Sequence, residues 1–184
     1  MAGWKDKRKV MQRYDLTSDM YEERYAAEQK AKYGAALENV DLTGKRVLDV
    51  GCGTGLFFSH VSGSARIIVG IDVSRKLLLK AKEEAKEASN VYVLQADADN
   101  LPLSKGCVEA VFAFTVLQNM PKPEATLEEL KRVTKPQGSV VVTGLKKAFP
   151  LNTFLDVLEG SSLRVSAFMD REELNCYVAI LNAG

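Results

Sequence analysis

Histidine occurs once in these 184 residues, at His60, and cysteine three times, at Cys52, Cys107 and Cys176. Cysteines so scattered exclude a zinc knuckle and argue against a disulfide framework, and no metal centre is expected. No apolar run approaches the ~20 residues of a membrane span. The N-terminus lacks the apolar stretch of a signal peptide, so the cytoplasm is the expected compartment. A charge excess is missing as well. Lysine and arginine number 25 against 24 acids, a net charge of +1, and no global field draws the chain to nucleic acid or to a membrane. There is no internal repeat, no low-complexity tract and no sign of a second domain. With 46% hydrophobic and 27% charged residues, one globular domain with a full core is expected.

One local charge excess exists. Residues 4–13, Trp4-Lys5-Asp6-Lys7-Arg8-Lys9-Val10-Met11-Gln12-Arg13, carry five bases and one acid. They read either as a solvated terminus or as a contact for nucleic acid.

The most informative stretch is Val47-Leu48-Asp49-Val50-Gly51-Cys52-Gly53-Thr54-Gly55. An apolar strand runs into a glycine-rich turn, and a helical pattern follows. The backbone there must turn tightly and leave room for a ligand, and glycine accepts such torsions most cheaply. The N–H groups that open the next helix favour an anionic group. Residues 47–55 therefore read as a small-molecule nest at the end of a first parallel strand. The spacing is G-x-G-x-G, not the G-x-G-x-x-G of dinucleotide folds. Downstream, Ile68-Val69-Gly70-Ile71-Asp72 is a second apolar strand ending in an acid. Asp72 follows Asp49 by about 20 residues, where an acid binds ribose hydroxyls in nucleoside-binding sheets. A third strand, Val91-Tyr92-Val93-Leu94-Gln95, ends in Ala96-Asp97-Ala98-Asp99-Asn100-Leu101-Pro102.

These strand-end features, in this order, resemble the class I S-adenosylmethionine-dependent methyltransferases. The closest pattern is the small LDVGCGTG…D…DAxxLP branch that includes ubiquinone- and menaquinone-type enzymes. The resemblance covers roughly Lys45 to Asn182. It is specific from Val47 to Pro102 and around Leu130–Gly138.

Periodicity supplies the rest of the organisation. A first helix is expected from the cap-like Thr17-Ser18-Asp19 to Leu37, with Tyr21, Tyr25, Gln29, Tyr33 and Leu37 in one drifting stripe. Strands are expected at Arg46–Val50, Arg66–Ile71, Val91–Gln95, Val108–Phe114 and Ser139–Thr143, then at Leu163–Phe168 and Cys176–Leu181. Between them fall a short helix with Leu56, Phe57, Phe58 and Val61 as its apolar positions, a helix capped by Ser74, and helices near Glu124–Val133 and Leu151–Leu158. The cluster Lys135-Pro136-Gln137-Gly138 reads as a breaker before strand five. Alternating strands and helices predict a doubly wound α/β sheet. The resemblance implies a single Rossmann-like sheet of seven strands, order 3-2-1-4-5-7-6, with the last strand antiparallel. It also implies a basic arm and lid helix at residues 1–40 before a cofactor-binding domain at 41–184.

The resemblance assigns S-adenosylmethionine, and its product S-adenosylhomocysteine, to Asp49, Gly51, Cys52, Gly53, Gly55, Asp72, Val73, Asp97, Ala98, Phe114 and Thr115. In it Asp49 and the glycine nest hold the methionine part, Asp72 the ribose diol, and Asp97 with the Ala98 N–H the adenine. Asp99 is a rival to Asp97, or a capping residue. No general base is evident; Tyr14, Tyr21, Tyr25, Glu28 and Gln118 are the candidates. His60, on the short helix after the nest, reads as a surface or packing residue. After strand four the family often shows a paired-histidine or similar polar segment, where this chain has Gln118-Asn119; the Asn/Asp-Pro-Pro-Tyr/Phe signature is absent, which lowers the odds of amino-nitrogen methylation. The near-minimal chain and basic arm lean toward RNA or a translation-related protein as methyl acceptor, with a small metabolite as the alternative. A non-catalytic cofactor-binding protein is the reading from another class. In the implied order, strand three is a sheet edge without lysine, proline or charge from Asn90 to Gln95. Such an edge invites a homodimer or a small activator subunit along residues 91–95, unless a segment of the same chain covers it.

Overall fold

The computed structural model describes residues 7, 8, 10–12 and 21–184, with side chains from residue 28 onward in the second stretch. Lys7, Arg8 and residues 10–12 are helical. The side chains of Tyr14, Tyr21 and Tyr25, and the expected helix cap at Thr17-Ser18-Asp19, lie outside what is described.

The parallel part of the sheet is built from β1 (Arg46–Val50), β2 (Ile67–Asp72), β3 (Val91–Gln95), β4 (Val108–Ala113) and β5 (Thr134–Leu145). Two further strands, β6 (Arg164–Met169) and β7 (Cys176–Asn182), complete it. The order is β3-β2-β1-β4-β5-β7-β6, as the resemblance implies. β7 runs antiparallel to both β5 and β6.

Side chains alternate across each strand, and so they feed two cores. Val47 and Phe112 point to one face, where Ala35 and Ala36 of helix α1 (Tyr21–Leu37), Phe58 of α2 (Phe58–Val61) and Ala81 of α3 (Arg75–Glu84) meet them. Leu48 and Val111 point to the other, where Leu127 and Leu130 of α4 (Pro123–Val133) and Phe154 and Leu158 of α5 (Leu151–Glu159) pack. Helices on both faces explain the near-continuous apolar run of β4.

Local signals explain the helix starts. Ser74 Oγ accepts from Leu77 N at 3.2 Å and caps α3. Pro123 opens α4, where a missing N–H costs nothing. Arg132 and Glu129 on α4 then clamp the chain after β3. Glu129 Oε1 accepts from Leu101 N at 2.7 Å, and Arg132 donates to Leu101 O and Leu103 O at 3.0 and 2.8 Å.

One expectation is corrected. Lys135-Pro136-Gln137-Gly138 does not precede strand five but lies within it. Thr134 pairs with Val108 and Ser139 with Ala110, so residues 135–138 bulge out opposite Glu109 alone. Gln137 adopts φ 63°, and its N–H meets Ala183 O at 2.5 Å. A Cβ on Gly138 would lie 2.8 Å from Glu109 O, so only glycine fits. The breaker residues shape a bulge rather than end a strand.

Candidate active site

The parallel strands end on one edge of the sheet, and the loops there surround a largely apolar pocket. The turn after β1 is closed by backbone bonds: Gly51 N and Cys52 N both donate to Ile71 O, at 2.7 and 3.0 Å. Gly51, Gly53 and Gly55 all have positive φ, at 71°, 57° and 89°. Their surroundings differ. A Cβ on Gly51 would lie 2.5 Å from Val116 Cγ2, and one on Gly55 2.6 Å from the Phe58 ring. A Cβ on Gly53 would meet nothing within 4 Å, and Gly53 lines the pocket. Gly51 also lines the pocket, whereas Gly55 does not and serves packing; the middle glycine leaves open space.

Asp72 ends β2 and braces this turn. Its Oδ2 accepts from Gly53 N at 3.0 Å and its Oδ1 from Ser74 N at 2.8 Å. The next residue, Val73, also lines the pocket, and its carbonyl accepts from Gln95 Nε2 at 2.9 Å.

Asp49 sits on the pocket floor with 2% of its surface exposed. Its Oδ2 has no hydrogen-bond partner among the described residues. Burial, with a smaller contribution from the charge of Asp72, pushes its carboxyl up to about 8. Burial, then Asp49 and Asp72, raises the Cys52 thiol well above its ordinary value. Cys52 is a wall residue, not a nucleophile.

Beyond β3, Ala96, Asp97 and Ala98 line the pocket. Asp97 is already engaged: Lys7 Nζ donates to Oδ1 at 2.7 Å and to Oδ2 at 2.9 Å. Lys7 also bonds Asp99, whose other oxygen accepts from the buried Thr126 hydroxyl at 2.6 Å. Asp99 therefore anchors the loop to α4. Lys7 was legible only as one base in a charged run; nothing local pointed it at residues so far along the chain.

Beyond β4, Phe114 stacks its edge on Tyr33, with ring centroids 4.8 Å apart, and on Phe57 at 5.1 Å. Thr115 follows with φ 62°. For a β-branched residue this costs roughly 1–3 kcal/mol and persists only where the surroundings enforce it. They do so with four hydrogen bonds. Thr115 N donates to Thr143 Oγ1 at 2.8 Å; its carbonyl accepts from Gln118 Nε2 at 2.8 Å and Asn119 Nδ2 at 2.9 Å; its hydroxyl accepts from Lys32 Nζ at 3.1 Å. Of the candidate bases, Gln118 does not line the pocket and serves to hold Thr115. Glu28 lies 3.9 Å from Lys32 and is also outside the pocket lining. His60 is exposed, with Nδ1 3.1 Å from Leu56 O and its ring edge-on to Tyr33 at 5.2 Å, and it is outside the pocket lining.

Gln29 and Tyr33 bring α1 to the pocket wall. Sequence reasoning overlooked Lys32 beside them, buried to 1%. The signal was present: Gln29, Lys32, Tyr33 and Ala36 fall on one face of a helix, and a lysine there must be sealed in.

Residues 48–142, which carry the nest, Asp72, Asp97 and Thr115, match the family described as "Methyltransferase domain". The chain belongs to the class I S-adenosylmethionine-dependent methyltransferases. Cofactor binding of this kind is typical of the family. Over 108 residues the chain is 40% identical to the demethylmenaquinone methyltransferase of Lactococcus lactis subsp. lactis, a match covering 55% of this chain and 42% of that protein. Over 103 residues it is 34% identical to the malonyl-[acyl-carrier protein] O-methyltransferase of Pectobacterium atrosepticum, covering 56% and 40%. The matches thus span less than half the length of these curated relatives. Two solved structures show the same fold. A SAM-dependent methyltransferase from Aquifex aeolicus has a TM-score of 0.82 at 22% identity, covering 92% of this chain and 98% of that one. The methyltransferase in a complex with the Haloferax volcanii Trm112 activator has a TM-score of 0.76 at 15% identity, covering 94% and 97%.

Proposed function

We propose that this methyltransferase-family chain transfers a methyl group from S-adenosylmethionine to a small-molecule acceptor. The observation that carries the reading is the convergence of Gly53, Asp49, Asp72 and Asp97 on one pocket whose wall is aromatic at Tyr33 and Phe114. These residues fit the cofactor. Open space at Gly53 admits the methionine part beside Asp49, Asp72 lines the pocket as an acceptor for the ribose diol, and Asp97 with the Ala98 N–H can meet the adenine. When bound, S-adenosylmethionine supplies a methyl group on a sulfonium, open to direct attack by an electron-rich atom. The chain's own contribution is alignment and exclusion of water. Residues 1–40 serve as arm and lid, with Val10, Gln29 and Tyr33 over the pocket.

A small acceptor is favoured over RNA or a translation protein on two grounds. Lys7, one of the bases that suggested nucleic acid, turns inward onto Asp97 and Asp99. The two curated relatives are named for demethylmenaquinone and for a malonyl group on a carrier, not for nucleic acid. Transfer of tritium from labelled cofactor into fractionated cell extract tests the reading. Label in the low-molecular-weight fraction, resistant to RNase and protease, is expected; label that RNase removes would restore the RNA reading.

A partner subunit is a second proposal, resting on the sheet edge. Among the described residues β3 pairs only with β2, and Tyr92 and Leu94 are 58% and 41% exposed. A small activator adding a strand along residues 91–95 would cover them. Size-exclusion chromatography with light scattering on extract-purified chain tests it. Loss of the co-purifying subunit in Val93→Lys is expected, whereas a self-paired dimer or a monomer with full activity would reject it.

A further inference from the structure

Lys32 is the one lysine buried among the described residues, at 1% exposure. The only carboxylate within 4 Å of it in that set, Glu28, has its oxygen at 3.9 Å, beyond hydrogen-bond reach. The ammonium spends one N–H on Thr115 Oγ1 at 3.1 Å. A buried positive charge without a hydrogen-bonded acid is expensive unless something else answers it. What stands between Lys32 and the pocket is Thr115, strained to φ 62° and locked in place. Because its oxygen accepts from Lys32, its own O–H is left to donate, and Lys32 makes that proton more acidic. One helical turn before Lys32, Gln29 lines the same pocket at 8% exposure, and its Oε1 has no hydrogen-bond partner among the described residues. A half-turn of that amide presents N–H groups instead.

Resting on the methyltransferase reading and deepening it, we propose that Thr115 and Gln29, backed by Lys32, seat an ionised oxygen of the methyl acceptor, which is therefore a small organic anion. Lys32 is a positioning residue that acts through Thr115. The aromatic wall of Phe114 and Tyr33 takes the acceptor's apolar body. An amine acceptor would meet like charge, and a neutral one would leave Lys32 with only Glu28, at 3.9 Å and without a hydrogen bond. The reaction then needs no general base. The anionic oxygen attacks the sulfonium methyl, the O–C bond forms as the C–S bond breaks, and the electron pair stays on sulfur. Negative and positive charge cancel, and no proton moves.

The full chain saturated with S-adenosylhomocysteine is titrated with benzoate, 4-nitrophenolate, benzamide and benzylamine. Benzoate or 4-nitrophenolate is expected to bind in preference to benzamide and benzylamine, and whichever anion binds better names the oxygen as carboxylate or phenolate. Lys32→Met should lose about tenfold or more in affinity for the anions, the worth of one charged contact, with benzamide unchanged. Lys32→Arg should recover most of it. Gln29→Glu should abolish anion binding and favour benzylamine. Equal benzoate binding by Lys32→Met and wild type, or no anion preference in the wild type, would overturn the anion seat while intact S-adenosylhomocysteine binding left the methyltransferase reading standing. Failure of the wild type to bind S-adenosylhomocysteine at all would bring down both.

Discussion

Lys7 Nζ lies 2.7 Å from Oδ1 of Asp97, a contact between residues 90 positions apart. It joins the basic arm to the acid that the family resemblance assigns to adenine. With side chains only 10% and 20% exposed, the pair is sheltered but not dry.

In the proposed binding mode Lys7 competes with the nucleoside for Asp97. Lys7→Ala is expected to tighten S-adenosylhomocysteine binding roughly threefold, as removal of a partly exposed ion pair contributes about 0.5–1 kcal/mol. Calorimetry decides it; a weaker complex would make Lys7 part of the binding surface instead.

Asp49 links the pocket to pH. Its folded-state value of about 8 stands far above the ~3.9 of an unfolded aspartate. The ligand-free folded chain holds the extra proton, so this contribution to stability is complete below pH ~4 and is lost as pH rises through about 8. Melting temperatures of the ligand-free chain should fall across that window, and Asp49→Asn should flatten the slope. If the ligand's ammonium pairs with Asp49, binding at neutral pH should also release a proton that the variant does not. Calorimetry in buffers of different ionisation enthalpy measures it, and identical values for both proteins would separate Asp49 from the ligand.

The glycines should behave differently from one another. Gly53→Val meets open space within the fold, so it should keep a folded sheet, lose a few degrees to its positive φ, and abolish cofactor binding. Gly55→Val drives a side chain into the Phe58 ring and should lower the melting temperature more. Wild-type affinity in Gly53→Val would put the ligand elsewhere.

The far end of the strands is a control. Arg46 and Lys135 hold Glu109 with contacts of 2.9 and 2.5 Å, and chiefly the Arg46 hydrogen bonds lower its carboxyl to about 2. That stability is present above the ordinary carboxylate value near 4.3 and is lost as pH falls toward about 2. Glu109→Gln should lose acid resistance, by no more than about 1 kcal/mol for so exposed a cluster, and leave cofactor affinity unchanged. Altered affinity would mean that the two strand ends are coupled.

The nest and its three acids were legible because each ends an apolar strand: Asp49, Asp72 and Asp97 all reach one pocket. Strand order came from the family resemblance, since pairing between distant segments leaves no local trace. Three features were not read. Lys135-Pro136-Gln137-Gly138 carries the same residues whether it ends a strand or bulges within one, and the pairing with Glu109 decides. Lys32 was masked by its charge, although its helical spacing from Gln29 and Tyr33 marks the buried face. The Lys7–Asp97 contact depends wholly on the tertiary fold.

The most direct test of the central reading is calorimetric titration of S-adenosylhomocysteine into the full chain and into Asp72→Ala, with NAD as the competing ligand. The account predicts micromolar-range binding by the wild type, no comparable NAD binding, and at least a tenfold loss in the variant, since hydrogen bonds to a charged group contribute about 1.5–3 kcal/mol each. Unchanged affinity in a folded Asp72→Ala, or tighter binding of NAD than of S-adenosylhomocysteine by the wild type, would contradict it.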